Sequence, residues 1–127
     1  MSQAEYEREA KERWGDSDAY SESAHRTKNY TAEDFALAKK RAAEVVVEFI
    51  DAMSAGLPPD SPQAAAAAEA HRQNITDWYY ECTYEIQAGL AQMYVSDSRF
   101  RENYDSQHEG LAQYVHDAIL ANAINKS

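Results

Sequence analysis

Thr31-AEDFALAKKRAAEVVVEFIDAMSA-Gly56 is the stretch that decides the fold. It opens on Thr31-Ala-Glu-Asp34, a capping-box pattern with Asp in place of the usual Glu or Gln. Phe35, Ala38, Ala42, Val45, Val46, Phe49 and Met53 then recur at helical spacing on one face, and Gly56 supplies the stop. A helix to about Ala55 with such a stripe must bury it against something, and the segments that follow offer matching stripes. Leu57-Pro-Pro-Asp60 reads as a rigid connector, and Ser61-Pro62 pairs a cap with a proline at the first helical position. The next predicted helix covers roughly 62–80 and holds the Ala64–Ala68 run, His71, Ile75 and Trp78. An alanine run either lets two helices approach closely or reflects helix propensity alone; propensity is the preferred reading. Thr83 caps a helix over about 84–95 with Ile86, Leu90, Met93 and Tyr94, and Ser96-Asp97-Ser98 caps a short one with Phe100 and Tyr104. After the polar Asp105-Ser-Gln-His108, Leu111, Tyr114, Val115, Ala118 and Ile119 mark a last helix over about 109–123. No segment alternates with strand period. The sequence predicts an all-α, multi-helical single domain.

Upstream of Thr31 the character differs. The first 34 residues contain no Leu, Ile, Val or Phe, and after Met1 their large apolar side chains are Tyr6, Trp14, Tyr20 and Tyr30. Helical spacing persists: Tyr6, Ala10 and Trp14 form a stripe, Gly15 stops it, Asp16-Ser17-Asp18 caps a successor, and Tyr20 and Ala24 continue it. Helices of about a dozen residues are marginal in water without a packed face. So few aromatics cannot offset the entropy of ordering this much chain. Residues 1–30 are therefore expected to form a mobile aromatic arm on a helical core spanning 31–127.

Composition narrows the function. The chain has 127 residues, 12 Lys plus Arg against 22 Asp plus Glu, and a net charge of −10, which suits one domain and opposes direct contact with nucleic acid or an anionic membrane. Cys82 stands alone, so no intrachain disulfide forms and a reducing, cytoplasmic setting fits best. No apolar leader opens the chain, and no run reaches the ~18–20 apolar residues of a membrane helix.

Catalytic chemistry finds no foothold. Glu22-x-x-His25 and Asp105-x-x-His108 share the carboxylate-x-x-His spacing of di-iron bundles, but one lies in the arm and the other in a polar loop, so neither is read as a metal site. His71 and His116 lack a His or Cys partner at ligand spacing and read as partly buried histidines. Cys82 reads as a small buried hydrophobe rather than a nucleophile. With only four Gly, none clustered, there is no phosphate-binding loop. No catalytic residue, metal or cofactor is assigned.

The aromatic residues do stand out. Nine Tyr and two Trp against three Phe favour rings that carry a polar handle. Trp78, Tyr79 and Tyr80 are consecutive, so on a helix they point about 100° apart and cannot all enter one core. Tyr84, Met93, Tyr94, Phe100 and Tyr104 follow. An arm without its own core beside such a set suggests a groove completed by a ligand. The competing reading is a plain bundle, with Tyr half-exposed on its flanks.

The ordered set Glu12-Arg-Trp-Gly-Asp16, Asp18-Ala-Tyr20, Tyr30-Thr-Ala-Glu-Asp34, Pro59-Asp-Ser61, His71-Arg72, Tyr80-Glu-Cys82, Met93-Tyr-Val-Ser-Asp97 with Arg99-Phe100, and Gly110-Leu-Ala-Gln-Tyr114 with Asp117-Ala-Ile-Leu-Ala-Asn122 carries a family likeness. It resembles the TipAS-type antibiotic-recognition domain of MerR-family transcription activators over nearly the whole chain. The resemblance implies a loosely globin-like helical domain that holds bulky antibiotics, especially thiopeptides, in a deep cleft with the N-terminal arm folded over the drug. In full-length activators a winged helix-turn-helix and a coiled coil precede this domain. Without them the chain is expected to be a monomer that does not touch DNA, either an excised sensor or a stand-alone form that sequesters drug. Some thiopeptide-binding members carry a second cysteine, seven positions after the one matching Cys82, that adds covalently to the drug. Gly89 stands there in this chain, so binding is expected to be reversible.

On this reading Trp14 and Tyr20 form the lid. Trp78, Tyr79, Tyr84, Met93, Tyr94, Phe100 and Tyr104 are the wall candidates. The alternative is a protein-interaction module whose aromatic arm docks on a partner.

Overall fold

The computed structural model describes residues 18–126, with side chains from Ser21 onward. Among the described residues there are six helices and no strand: α1 (Asp18–Thr27), α2 (Ala32–Ser54), α3 (Pro62–Trp78), α4 (Tyr84–Ser96), α5 (Ser98–Asp105) and α6 (Leu111–Lys126). The predicted helix around Tyr6 and Trp14 lies outside the described residues.

The caps sit where the sequence places them. Thr31 Oγ1 accepts from the Asp34 amide at 3.2 Å, and the Asp34 carboxylate accepts from the Thr31 amide at 2.9 Å, so the shorter Asp still closes the box. At the other end of α2, Gly56 adopts φ 75°, the Leu57 amide donates to Ala52 O at 3.1 Å and the Gly56 amide to Met53 O at 3.0 Å. This Schellman arrangement satisfies two orphan carbonyls and turns Leu57 onto the core. Ser61 Oγ caps α3 and Thr83 Oγ1 caps α4, through the Ala64 and Ile86 amides. Asp97 closes α4 and caps α5 through the Arg99 amide, which reverses the chain within one residue. Gly110, at φ 81°, leads into α6, where the Asp105 carboxylate accepts from the Ala112 amide at 3.0 Å.

Helix α6 lies at the centre, against α4, α3 and α2; α3 packs on α2, α5 folds back over α4 and α6, and α1 rests on α3. Val45, Phe49 and Ala52 of α2 meet Leu111, Val115, Ala118 and Ile119 of α6 in the core. Phe49, Leu111 and Ile119 are fully buried, each contributing roughly 2–3 kcal/mol by transfer from water.

The structure changes three readings. Ala64, Ala67 and Ala68 are completely buried at i, i+3 and i+4 spacing, so the alanine run is a close-approach surface and not merely a helix former. On α2, Phe35 and Ala42 are exposed, because the stripe this helix buries runs through Ala38, Val45, Phe49 and Ala52 instead. Helix α3 ends at Trp78 rather than near residue 80, since Tyr79 leaves helical geometry at φ −122°, ψ −61°.

Candidate ligand-binding site

The reversal at Asp97 builds the first aromatic cluster. It carries Phe100 and Tyr104, one turn apart on α5, back to Tyr94 of α4, with ring centroids 5.9 and 5.1 Å away. His71 of α3 meets the Tyr94 ring edge-on at 5.8 Å, and its Nε2 stands 3.2 Å from the Tyr94 hydroxyl. Gln87 Nε2 bonds His71 Nδ1 at 2.9 Å and Ala68 O at 2.8 Å. Burial lowers the His71 pKa to about 4, so the imidazole is neutral at physiological pH. Tyr94 and Met93 are nearly buried, whereas Phe100 and Tyr104 are half-buried at the margin of the core.

A second cluster surrounds the C-terminus of α3. Tyr30 stands between Phe35 and Trp78, edge-on to both, at 5.5 and 5.8 Å. Its hydroxyl donates to Trp78 O, and Arg26 donates to Thr76 O. Both carbonyls lie in the last turn, which has no intrahelical partner for them, and the Arg26 charge suits the negative end of the helix dipole. The Glu22 carboxylate pairs with Arg26 and accepts from the Glu81 amide at 3.1 Å. Thus α1 docks by polar contacts, and no residue from 21 to 30 is buried. Burial, then the neighbouring Tyr30, raises the Tyr79 phenol above its ordinary pKa.

A polar staple holds the loop between these helices. The Arg72 guanidinium donates to Cys82 O at 2.9 Å, pairs with Glu69 at 3.2 Å and lies 4.5 Å over the Tyr84 ring. Asn122 donates to the other Glu69 oxygen at 2.9 Å. Burial works to raise the Glu69 pKa, but hydrogen bonds from Tyr84, Asn122 and Arg72 outweigh it and lower the carboxyl. Cys82 is completely buried, and burial raises its thiol to about 11, which removes thiolate at neutral pH.

The wall candidates therefore separate. Tyr94, Phe100 and Tyr104 meet in one cluster, Trp78 and Tyr79 belong to the other, Tyr84 serves the Arg72 staple, and Met93 lies in the core. Trp14 is outside the described residues, and Tyr20 is described only as backbone of α1. Sequence reasoning missed His71, Tyr30 and Gln87 as members. Gln87 was legible in principle, for it stands seven residues before Tyr94 on the same helix face. Glu22 and Asp105 spend their carboxylates on hydrogen bonds within the fold. Among the described residues, no three His, Cys, Asp or Glu side chains gather to hold a metal ion. No described helix is long and apolar enough to cross a membrane.

The described helices thus carry aromatic clusters at two helix ends, with α1 held to the C-terminal end of α3 by hydrogen bonds. The chain belongs to the TipAS antibiotic-recognition domain family, whose model matches residues 6–122. It is 48% identical over 120 residues to the HTH-type transcriptional activator TipA of Streptomyces coelicolor, a match covering 94% of this chain and 47% of that protein. It thus spans about half the length of the curated relative it matches. Nosiheptide in complex with TipAS of Streptomyces lividans has the same fold, with TM-score 0.91 and 46% identity, covering 100% of this chain and 89% of that one. The antibiotic-binding domain of a TipA-class multidrug resistance transcriptional regulator aligns at TM-score 0.67 and 47% identity, over 71% of this chain and 96% of its own.

Proposed function

We propose that this chain is a drug sensor that reversibly binds a bulky, hydrophobic, thiopeptide-like antibiotic in a helical cleft. It works as the effector domain of a MerR-family activator or as a drug-sequestering form, in the cytoplasm and without catalysis. The observation that carries this reading is the likeness to the nosiheptide complex of TipAS, which extends over the whole chain. Residues 1–30 act as the lid arm, with Trp14 and Tyr20 on the drug, and residues 31–127 are the core. Trp78, Tyr79, Tyr84, Met93, Tyr94, Phe100 and Tyr104 supply the wall. Stacking and apolar burial provide most of the affinity, and ordering the arm costs about 2–5 kcal/mol of it. A net charge of −10 keeps this module off DNA, so any DNA contact is made elsewhere in an activator.

The test is calorimetric titration of nosiheptide into the full chain and into a form lacking residues 1–30. The truncated form should bind at least about tenfold more weakly, a loss of roughly 1.4 kcal/mol or more. Equal affinity refutes the lid, and no binding by the full chain favours the partner-docking alternative.

A further inference from the structure

One ridge of α2 takes no part in the core or in either aromatic cluster. Lys40, Ala43, Val47 and Asp51 fall three or four residues apart, so they line one side of the helix over about three turns, and all four are exposed. The ridge is turned away from Ala38, Val45, Phe49 and Ala52, by which α2 packs. Val47, near its middle, is 53% exposed, and Leu37 on its flank is 49% exposed. Basic residues precede this apolar middle and acidic ones follow it: Lys39, Lys40 and Arg41 on one side, Glu48 and Asp51 on the other. Arg41 pairs with Glu44 at 3.8 Å, whereas Lys39, Lys40, Glu48 and Asp51 form no ion pair among the described residues.

The helix dipole opposes this order. It favours cations near a C-terminus, yet α2 has no basic residue in its last turn, where Asp51 stands. A second copy of the chain supplies the missing cation. Laid antiparallel about a two-fold axis level with Val45, the ridge becomes its own complement. Lys40 meets Asp51 of the second copy, Arg41 meets Glu48, Ala43 meets Val47, and symmetry makes each contact twice. The small Ala43 lets the two helices approach closely.

We propose that this ridge of α2 is a self-docking surface through which two copies of the chain pair antiparallel. The charge order carries the inference, since isolated exposed apolar residues are ordinary on a monomer, and a merely solvated face has no need of charges that mirror one another. A contact of three turns is small, so the pair is weak and transient, dissociating in roughly the millimolar range. Dilute chain is monomeric; pairing matters where something else holds two copies together and raises their effective concentration to about that level. The net charge of −10 opposes association at long range, but at physiological ionic strength that repulsion is screened beyond about 8 Å. The inference does not depend on the drug-sensor reading.

Sedimentation equilibrium of the full chain without drug decides it. At about 0.15 M salt and up to about 1 mM chain, the average mass should rise from that of one chain toward that of two. Lys40→Glu and Asp51→Lys each set like charges together twice, and each should weaken pairing at least about tenfold while the helical circular-dichroism signal stays intact. Val47→Glu, another exposed change, should have the same effect. Mixed one to one, the Lys40→Glu and Asp51→Lys chains carry complementary ridges, and the mixture should pair within about threefold of the parent. That restoration requires both variants to be folded. A parent that keeps the mass of one chain up to about 1 mM overturns the proposal. Pairing that survives the single substitutions lies on another face and overturns it too, as does a mixture that stays apart.

Discussion

The Tyr30 hydroxyl donates to the carbonyl of Trp78, the last residue of α3, across 48 positions of sequence. Arg26, in the last turn of α1, does the same for Thr76, so the end of α1 and the segment that follows it together serve as the C-terminal cap of another helix. The loop that follows, holding Tyr79, Tyr80 and Cys82, is therefore tied to the segment on which Tyr20 sits.

That tie is polar and partly exposed, so each contact contributes on the order of 1 kcal/mol or less. Tyr30→Phe and Arg26→Ala should raise amide hydrogen exchange in residues 22–30 and 79–83 together, leaving α6 protected. Exchange that rises in only one of the two segments would show that they open independently.

The buried alanines make a sharper contrast. Ala68→Leu places a large side chain where no space exists and should cost about 1–3 kcal/mol or more in denaturant unfolding. Ala66→Leu, on the exposed side of the same helix, should change stability by no more than about 0.5 kcal/mol. Equal effects would return the run to simple helix propensity.

Stability should depend on His71. Its folded pKa of about 4 lies below the ordinary 6.5, so the unfolded chain takes up a proton first as pH falls. The contribution is fully present above about pH 6.5 and is lost between there and about pH 4, to an extent on the order of 3 kcal/mol. The groups bonded to the ring, Gln87 and Tyr94, are uncharged in this window and do not counteract it. Melting temperature measured from pH 7 to pH 4.5 should fall more steeply for the parent than for His71→Gln.

Gly89 offers a gain and a chemical test. It is exposed within α4, and a Cβ there would meet no atom within 4 Å. Gly89→Ala should therefore stabilise the chain by about 0.5–1 kcal/mol. Cys82, buried and with its thiol at about 11, should leave nosiheptide unmodified in mass spectra of the parent. Gly89→Cys restores a thiol at the position where the family resemblance puts the covalent one, and a nosiheptide adduct should then appear.

The sequence disclosed the helices because caps and stops are local chemistry. Thr31 with Asp34, Ser61 with Pro62, Thr83 and Gly56 all act within a few residues of their place in the chain. The candidate site was legible only in part. Phe100 and Tyr104 share a helix face with each other, but their meeting with Tyr94 depends on the reversal at Asp97. The α3 carbonyls that Tyr30 and Arg26 reach, and the Tyr94 hydroxyl beside His71, lie on other helices, where no periodicity points to them. Burial of Ala64, Ala67 and Ala68 likewise follows from how α3 meets its neighbours, which composition cannot reveal.

In the proposed sensor, aromatic residues of the arm and of the core close together on an antibiotic, and the two tryptophans, Trp14 and Trp78, would report that closure separately. The most direct measurement is a proton–nitrogen correlation spectrum of the labelled chain titrated with nosiheptide. Both indole signals should shift and saturate at one equivalent, with the amides before Phe35 dispersing in step. If neither indole moves while the chain stays folded, the chain does not hold this drug between its arm and core, and the account is wrong.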